Sequence, residues 1–211
     1  MSDAPRAAHW QAVYTGKADT AVSWFEAEPA VSLALIDLIG IAPEVPVIDV
    51  GGGASRLVDR LLERGFSDVT VLDLAEAALA AARRRLGVRA AGVTWIAGDV
   101  TGWQPARQYG LWHDRAVLHF LTTAEDRAAY VARLRRALAP GGHAIIGTFA
   151  PDGPERCSGL PVVRHDAASL SALLGAAFAL LDSRRHRHVT PGGAVQSFQF
   201  ATFRRLPATA P

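Results

Sequence analysis

The sequence is poor in the residues that staple, anchor or export a chain. One of its 211 residues is a cysteine, Cys157, so no disulfide can form within it and no cysteine-based metal site exists. That usage fits a reducing compartment, and a cytoplasmic location is expected. The one lysine, Lys17, cannot complete a G-x-x-x-x-G-K-[ST] phosphate loop, and no such loop is present. No apolar run approaches the ~20 residues of a membrane-crossing helix. Met1-Ser2-Asp3-Ala4-Pro5 lacks a basic stretch leading into an apolar one, so no secretory signal is expected. Net charge is only +2, and the pI of 9.1 reflects a small arginine excess rather than a basic tail. The basic runs, Arg83–Arg85 and Arg184–His188, read as a solvated helix face and a solvated strand end. Neither makes the basic stripe that nucleic acid requires. There is no repeat, low-complexity tract or linker.

What is present is a core. Half the residues are apolar, enough for a single α/β domain and too many for a disordered chain. Residues 30–40 carry apolar side chains at helical spacing and end at Gly40, a helix with a glycine stop. Val45–Val50 is an apolar run halted by Gly51-Gly52-Gly53, the pattern of a buried parallel strand. Then come a helix over 55–64, a strand over 69–72 closed by Asp73, an alanine-rich helix over 75–86, and a strand over 93–96 before Gly98-Asp99. Residues 110–117 read as a fourth strand, 126–138 as a helix and 143–149 as a fifth strand. A Pro/Gly loop spans 150–165, and a helix opens at Ser169. The last two strands, 178–183 and 197–204, are joined by a turn with Pro191-Gly192-Gly193. Such alternation predicts an α/β fold, a mostly parallel sheet with helices on both faces, ending in an antiparallel hairpin. One domain is expected over 1–211: an N-terminal segment 1–28, a core 29–149, and a loop and hairpin region 150–211.

The glycine turn after the first strand points to a nucleotide-type site, because glycine lets the backbone turn sharply and approach a ligand closely. Asp73, at the next strand end, is placed to hold two ribose hydroxyls, and Asp99, after the third, to reach an adenine amino group. Arg56 occupies the third-glycine position of the dinucleotide pattern G-x-G-x-x-G and disfavours it. Asp49, Asp73, Asp99 and Asp114 all lie at or near strand C-termini, where open α/β sheets bind ligands. Four acids suit the sulfonium and amine charges of S-adenosylmethionine (SAM) better than a polyphosphate.

Four segments then resemble the motifs of the class I SAM-dependent methyltransferases, in that family's order: Val47–Ser55, Val71-Leu72-Asp73-Leu74, Ala97-Gly98-Asp99-Val100 and Leu138–Gly142. The resemblance covers roughly residues 45–150. It implies a Rossmann-like, seven-stranded, mostly parallel sheet with a C-terminal antiparallel hairpin. It implies SAM as cofactor and S-adenosylhomocysteine as product, held by Asp49, Gly51, Gly52, Gly53, Asp73, Leu74, Asp99, Val100 and Asp114. At the ends, His9-Trp10, Tyr14, Gly16-Lys17, Trp24-Phe25 and Trp112-His113-Asp114-Arg115-Ala116 are similar to thiopurine and tellurite-resistance methyltransferases. There an aromatic lid closes over cofactor and acceptor, which adds Tyr14 and Trp24 to the cofactor-binding set. His113 is an insertion relative to that family's pattern.

Methyl transfer from a sulfonium is an in-line displacement, so the enzyme must align a nucleophile and exclude water. A thiolate or other soft anion needs little or no base, whereas an amine or hydroxyl needs one. His113, Asp114 and His119 are the candidates for base or orienting group, and Arg115 for holding an anionic acceptor. Against these stand plainer roles: Asp114 as a helix cap or partner of Arg115, His113 on the opposite pleat face, His119 as a packed helix residue. Tyr14 and Trp24 either wall the pocket or only pack a helix on the core. His186 and His188 share a strand face and, with His113 or His165, could approach a metal. No carboxylate completes that spacing, so no metal site is expected. The absence of Asn-Pro-Pro-Tyr lowers the nucleic-acid reading further. The expected activity is methyl transfer to a small molecule, with a thiol or other chalcogen nucleophile leading and a protein lysine as the alternative. A non-catalytic SAM-binding module and an NAD-dependent oxidoreductase rank below. A monomer or homodimer is expected, with no membrane partner.

Overall fold

The N-terminal segment opens with helix α1 (Asp3–Gly16), followed by a single 3-10 turn over Asp19–Ala21 and helix α2 (Ala30–Ile39). These belong to a computed structural model that describes residues 3–207; residues 1–2 and 208–211, the outermost parts of the two terminal segments expected from sequence, lie outside the description. Gly40 ends α2 at φ +61°, and its amide donates back to Ile36 and Asp37. Strand β1 (Val47–Val50) is wholly buried, Asp49 included. The chain continues through α3 (Leu57–Glu63), β2 (Val69–Asp73), α4 (Glu76–Leu86), β3 (Val93–Ala97) and β4 (Tyr109–Arg115). It ends with α5 (Ala124–Ala137), β5 (Leu138–Phe149), a two-rung hairpin of β6 (Arg156–Cys157) and β7 (Leu160–Pro161), α6 (Ala167–Leu174), β8 (Phe178–Val189) and β9 (Val195–Arg205).

Seven strands form one sheet in the order β3-β2-β1-β4-β5-β9-β8. The first five are parallel; β9 runs antiparallel to both β5 and β8. Strand order reverses between β1 and β4, and a crevice opens at their C-terminal ends, the place where such sheets receive ligands. Two apolar layers cover the faces. On one side Trp112, Ile146 and Phe203 pack with Tyr130, Leu134 and Leu170 of α5 and α6. On the other, Val47, Leu111 and Ile145 pack with Leu35, Leu57 and Leu79 of α2, α3 and α4. Among the described residues no helix is long and apolar enough to cross a membrane.

Two departures from the sequence expectation bear on function. Strand β8 runs on to Val189, so the Arg184–His188 run lies within a strand rather than at its end. Its exposure alternates, with Arg184, His186 and His188 more covered than Arg185 and Arg187. A polar strand with this alternation lacks the apolar period that sequence reading depends on. In the second basic run, Arg85 is no solvated residue. It makes a forked pair with Asp59 and donates to the Ala54 and Ser55 carbonyls, tying the glycine turn to α4.

Candidate active site

A cavity lies between the sheet's C-terminal rim and the inner face of α1. One end is made of strand ends: Gly51, Asp73, Leu74, Asp99 and Val100. The other end is apolar and ringed by Trp10, Trp24, Phe120, Phe149 and Phe198.

At the polar end, Asp73 Oδ1 accepts the Ala75 amide at 2.7 Å. Burial pushes the Asp73 pKa up to about 7, with the charge of Asp49 adding to the effect and the Ala75 amide opposing it. Asp99 Oδ1 accepts from the Thr101 amide and hydroxyl at 2.8 and 2.6 Å, and Oδ2 lies 3.1 Å from Arg6 Nη2. Arg6 also reaches Asp126 at 3.2 Å. Arg6, Trp10 and Tyr14 are four residues apart, so α1 presents them on one face, and all three line the cavity. Gln11, beside Trp10, accepts the Ala77 amide at the start of α4 and tethers the helix. The lid is therefore docked by named contacts.

At the apolar end, Trp24 Nε1 donates to the Tyr14 hydroxyl at 3.1 Å, and Trp10 sits edge-on to Trp24 and Phe120. Arg115 donates to the Trp24 carbonyl at 2.8 Å and lies over the Phe198 ring. His119 is fully buried between Phe120 and Phe149. Its Nδ1 accepts the Phe149 amide at 3.2 Å, which places the ring proton on Nε2. Burial, helped by His165 and Arg115, lowers its pKa to about 3, so the ring is neutral. Nε2 has no partner among the described residues. Burial also raises the Cys157 thiol to about 11 and the Tyr14 phenol well above its usual value. No group at this end is a ready base at neutral pH.

Residues 47–142 match the family described as a methyltransferase domain. The match spans a little less than half of the chain. Nodulation protein S of Rhizobium tropici is 27% identical over 124 residues, 59% of this chain and 51% of that protein. The chain thus spans about half the length of the curated relative it matches. Among solved structures, one concerns conversion of a disulfide bond into a thioacetal group during echinomycin biosynthesis: TM-score 0.75, 20% identity, covering 96% of this chain and 94% of that one. Another is the 1,6-didemethyltoxoflavin-N1-methyltransferase of Burkholderia thailandensis, with its substrate and S-adenosylhomocysteine bound: TM-score 0.71, 24% identity, covering 98% and 92%. These likenesses establish the Rossmann-like methyltransferase fold.

Of the residues singled out from sequence, the sheet's C-terminal rim, the turn after β4 and the N-terminal segment bring Gly51, Asp73, Leu74, Asp99, Val100, Tyr14, Trp24, Arg115 and His119 to one cavity. Five others do not line it, and each has a physical reason. Gly52 and Gly53 make room for carboxylates rather than for a ligand. A Cβ on Gly52 would sit 2.4 Å from Asp49 Oδ2, and one on Gly53 2.6 Å from Asp73 Oδ2. Asp49 and His113 pair across β1 and β4 on the α2 side of the sheet: His113 Nδ1 meets Asp49 Oδ1 at 2.7 Å, and Nε2 meets Ser32 Oγ at 2.8 Å. Asp114, one residue on, points to the α5 side by pleat alternation. It accepts from the Val117 and Leu118 amides and from Tyr130 Oη at 2.6 Å. Its assignments as base and cofactor ligand are corrected: it caps the turn that carries His119. His113 is corrected likewise, to a partner of Asp49.

Sequence reasoning missed Arg6, Trp10 as a wall residue, Val117 and Phe198. The four-residue spacing of Arg6, Trp10 and Tyr14 was a usable signal. Phe149 and Phe198 had none, since they meet only through the antiparallel pairing of β5 with β9.

Proposed function

We propose that the chain transfers a methyl group from SAM to a small, largely apolar acceptor that supplies its own nucleophilic atom. The observation behind this reading is the cavity's division into an acid-lined end and an aromatic end without a base. The polar end fits SAM. It holds acids and lacks a lysine, and behind it Asp49 Oδ2, just beneath the Gly52 turn, is a buried acceptor without a partner among the described residues. Asp73 and Asp99 would hold the ribose and adenine, with Gly51, Leu74 and Val100 as walls. Bound there, SAM supplies a methyl group on a cationic sulfur, which aromatic faces and carboxylates both favour.

The protein's own contribution is alignment and exclusion of water. Trp10, Tyr14 and Trp24 cover the chamber, and Arg6 fastens α1 to Asp99. The neutral His119 offers an Nε2–H to an acceptor lone pair and cannot remove a proton near neutral pH. A lysine ammonium, with a pKa of ~10.4, would need such a base, so the alternative of a protein-lysine acceptor is not favoured. A thiolate, another chalcogen anion or a ring nitrogen needs none. A thiolate is our leading acceptor, because the Arg115 guanidinium, held by Glu26 from outside the chamber, is the cation nearest its aromatic end.

The test has two steps. In thermal shift, SAM and S-adenosylhomocysteine at ~100 times their dissociation constants should add about 2.7 kcal/mol of stability. Stabilisation by NAD alone would remove the cofactor assignment. Labelled SAM is then offered with thiols, selenols, nitrogen heterocycles and lysine peptides. Methylation of the peptide alone would reverse the acceptor assignment.

A further inference from the structure

The sequence offers His186 and His188 as a metal-binding pair without a carboxylate, and folding supplies one. Glu26, from the segment between the 3-10 turn and α2, lies over the inner face of β8, where the two histidines project two residues apart. We propose that Glu26, His186 and His188 bind one divalent transition ion of the zinc, cobalt, nickel and copper class, and that the ion clamps the lid-side segment to the edge strand.

The distances suit a shared ion. His188 Nδ1 is 3.3 Å from Glu26 Oε1, and His186 Nε2 is 3.8 Å from the same oxygen. Ligand bonds of about 2.0–2.1 Å in a tetrahedron put neighbouring ligand atoms about 3.3 Å apart. All three donor atoms lie within 4.8 Å of one another, and the half-exposed His186 ring can turn to close the widest edge.

The tautomer is set as a metal ligand needs it. His188 Nε2 donates to the Ser23 carbonyl at 2.7 Å, an oxygen that can only accept. The neutral ring then presents a bare Nδ1 lone pair towards Glu26. A lone pair facing a carboxylate is repulsive unless a cation sits between them. A backbone carbonyl behind a ligating imidazole is the usual outer support of a metal site. Arg115 Nη2, 3.0 Å from Glu26 Oε1, orients the carboxylate from the cavity side. Two imidazoles and one carboxylate select a transition ion over magnesium or calcium.

Because Arg115 also binds the Trp24 carbonyl, the clamp would brace a wall of the chamber without entering it. The site is independent of the methyl-transfer reading, and so is its test. The untagged full chain, stripped with chelator and desalted, is titrated with Co²⁺ by ligand-field absorption and with Zn²⁺ by calorimetry and thermal shift. We expect one equivalent, a four-coordinate Co²⁺ spectrum and a raised melting temperature. His186→Ala, at a half-exposed position that should spare the fold, should weaken binding at least tenfold, and Glu26→Gln similarly. His143→Ala, far from the cluster, should bind as wild type. Absence of binding to the wild type, or binding unchanged in a correctly folded His186→Ala, overturns the proposal.

Discussion

The two ends of the cavity are assembled by different rules. The polar end comes from three strand ends between Val50 and Val100, each next to its own turn. The aromatic end is gathered from α1, Trp24, the turn after β4, Phe149, Cys157 and Phe198. Short-range geometry therefore sets where Asp73 and Asp99 stand, while the placement of Trp10 or Phe198 depends on the whole fold. It follows that the two ends should respond separately to mutation, one in cofactor affinity and the other in acceptor kinetics.

The largest effect should come from beneath the polar end. His113→Ala leaves the buried Asp49 carboxylate and Ser32 hydroxyl without their partner. Breaking such a pair costs about 3 kcal/mol, read by urea unfolding. SAM affinity should fall at least tenfold because Asp49 is no longer held, whereas Asp114→Asn, on the other face, should leave it unchanged. The reverse ranking would mean that the wrong face of β4 has been assigned to the cofactor.

Asp73→Ala comes next. Losing a charged acceptor for two hydroxyls should weaken SAM about 100-fold by calorimetry. Melting temperature without ligand should fall little, because Asp73→Ala also removes a buried acid. Intact SAM affinity would break the assignment of this end.

The pH response sharpens the same point. The folded pKa of Asp73, about 7, stands above the 3.8 of an unperturbed aspartate. Its contribution to stability is thus fully present below that lower value and is lost as pH rises through about 7. SAM binds the carboxylate, so affinity should climb as pH rises towards 7, by up to about tenfold per unit, and then level off. His119 works in the opposite sense, since its folded pKa of about 3 lies below 6.5 and its contribution is lost on acidification. The difference between wild type and Asp73→Asn isolates Asp73; a difference flat across pH would refute the raised pKa.

At the aromatic end, His119→Phe keeps the ring shape and removes the Nε2–H. One neutral hydrogen bond is worth about 1 kcal/mol, so kcat/KM for the acceptor should drop about fivefold while SAM affinity stays within about twofold. Equal losses in both would mean that the two ends are coupled.

This contrast also explains what could be read from the chain. Parallel strands buried on both faces leave short, largely apolar runs, so β1, β2 and the Gly51 turn announce themselves, as do Asp73 and Asp99. Sequence position says that Asp49, His113 and Asp114 stand near strand ends, but not which pleat face each takes beside its neighbours. A displacement of one residue along β4 sends Asp114 to Tyr130 and His113 to Asp49. Glu26 meets His188 across 162 positions, and no spacing rule spans that distance. The β8 residues hid for a further reason: a polar strand whose inner face meets charge carries no hydrophobic period.

The smallest expected effect lies where the two ends join. Ala116 follows β4 with φ +73°, a left-handed conformation that costs a non-glycine residue roughly 1–3 kcal/mol, and it lines the cavity. Its amide donates to the Gly147 carbonyl at 2.7 Å, which holds the turn in place. Ala116→Gly relieves the strain but adds freedom to the unfolded chain worth about 0.4–1 kcal/mol. A net gain of about 1 kcal/mol or less is expected by urea unfolding, with SAM affinity unchanged. Ala116→Val should act on stability in the opposite direction and should leave SAM affinity unchanged. A β-branched side chain fits this backbone poorly, and its added methyls would intrude on the chamber wall. Stability should fall by at least 1 kcal/mol and acceptor KM should rise. If Ala116→Val instead weakened SAM and left the acceptor alone, this junction would belong to the polar end, and the boundary between the two halves would have to move past Ala116.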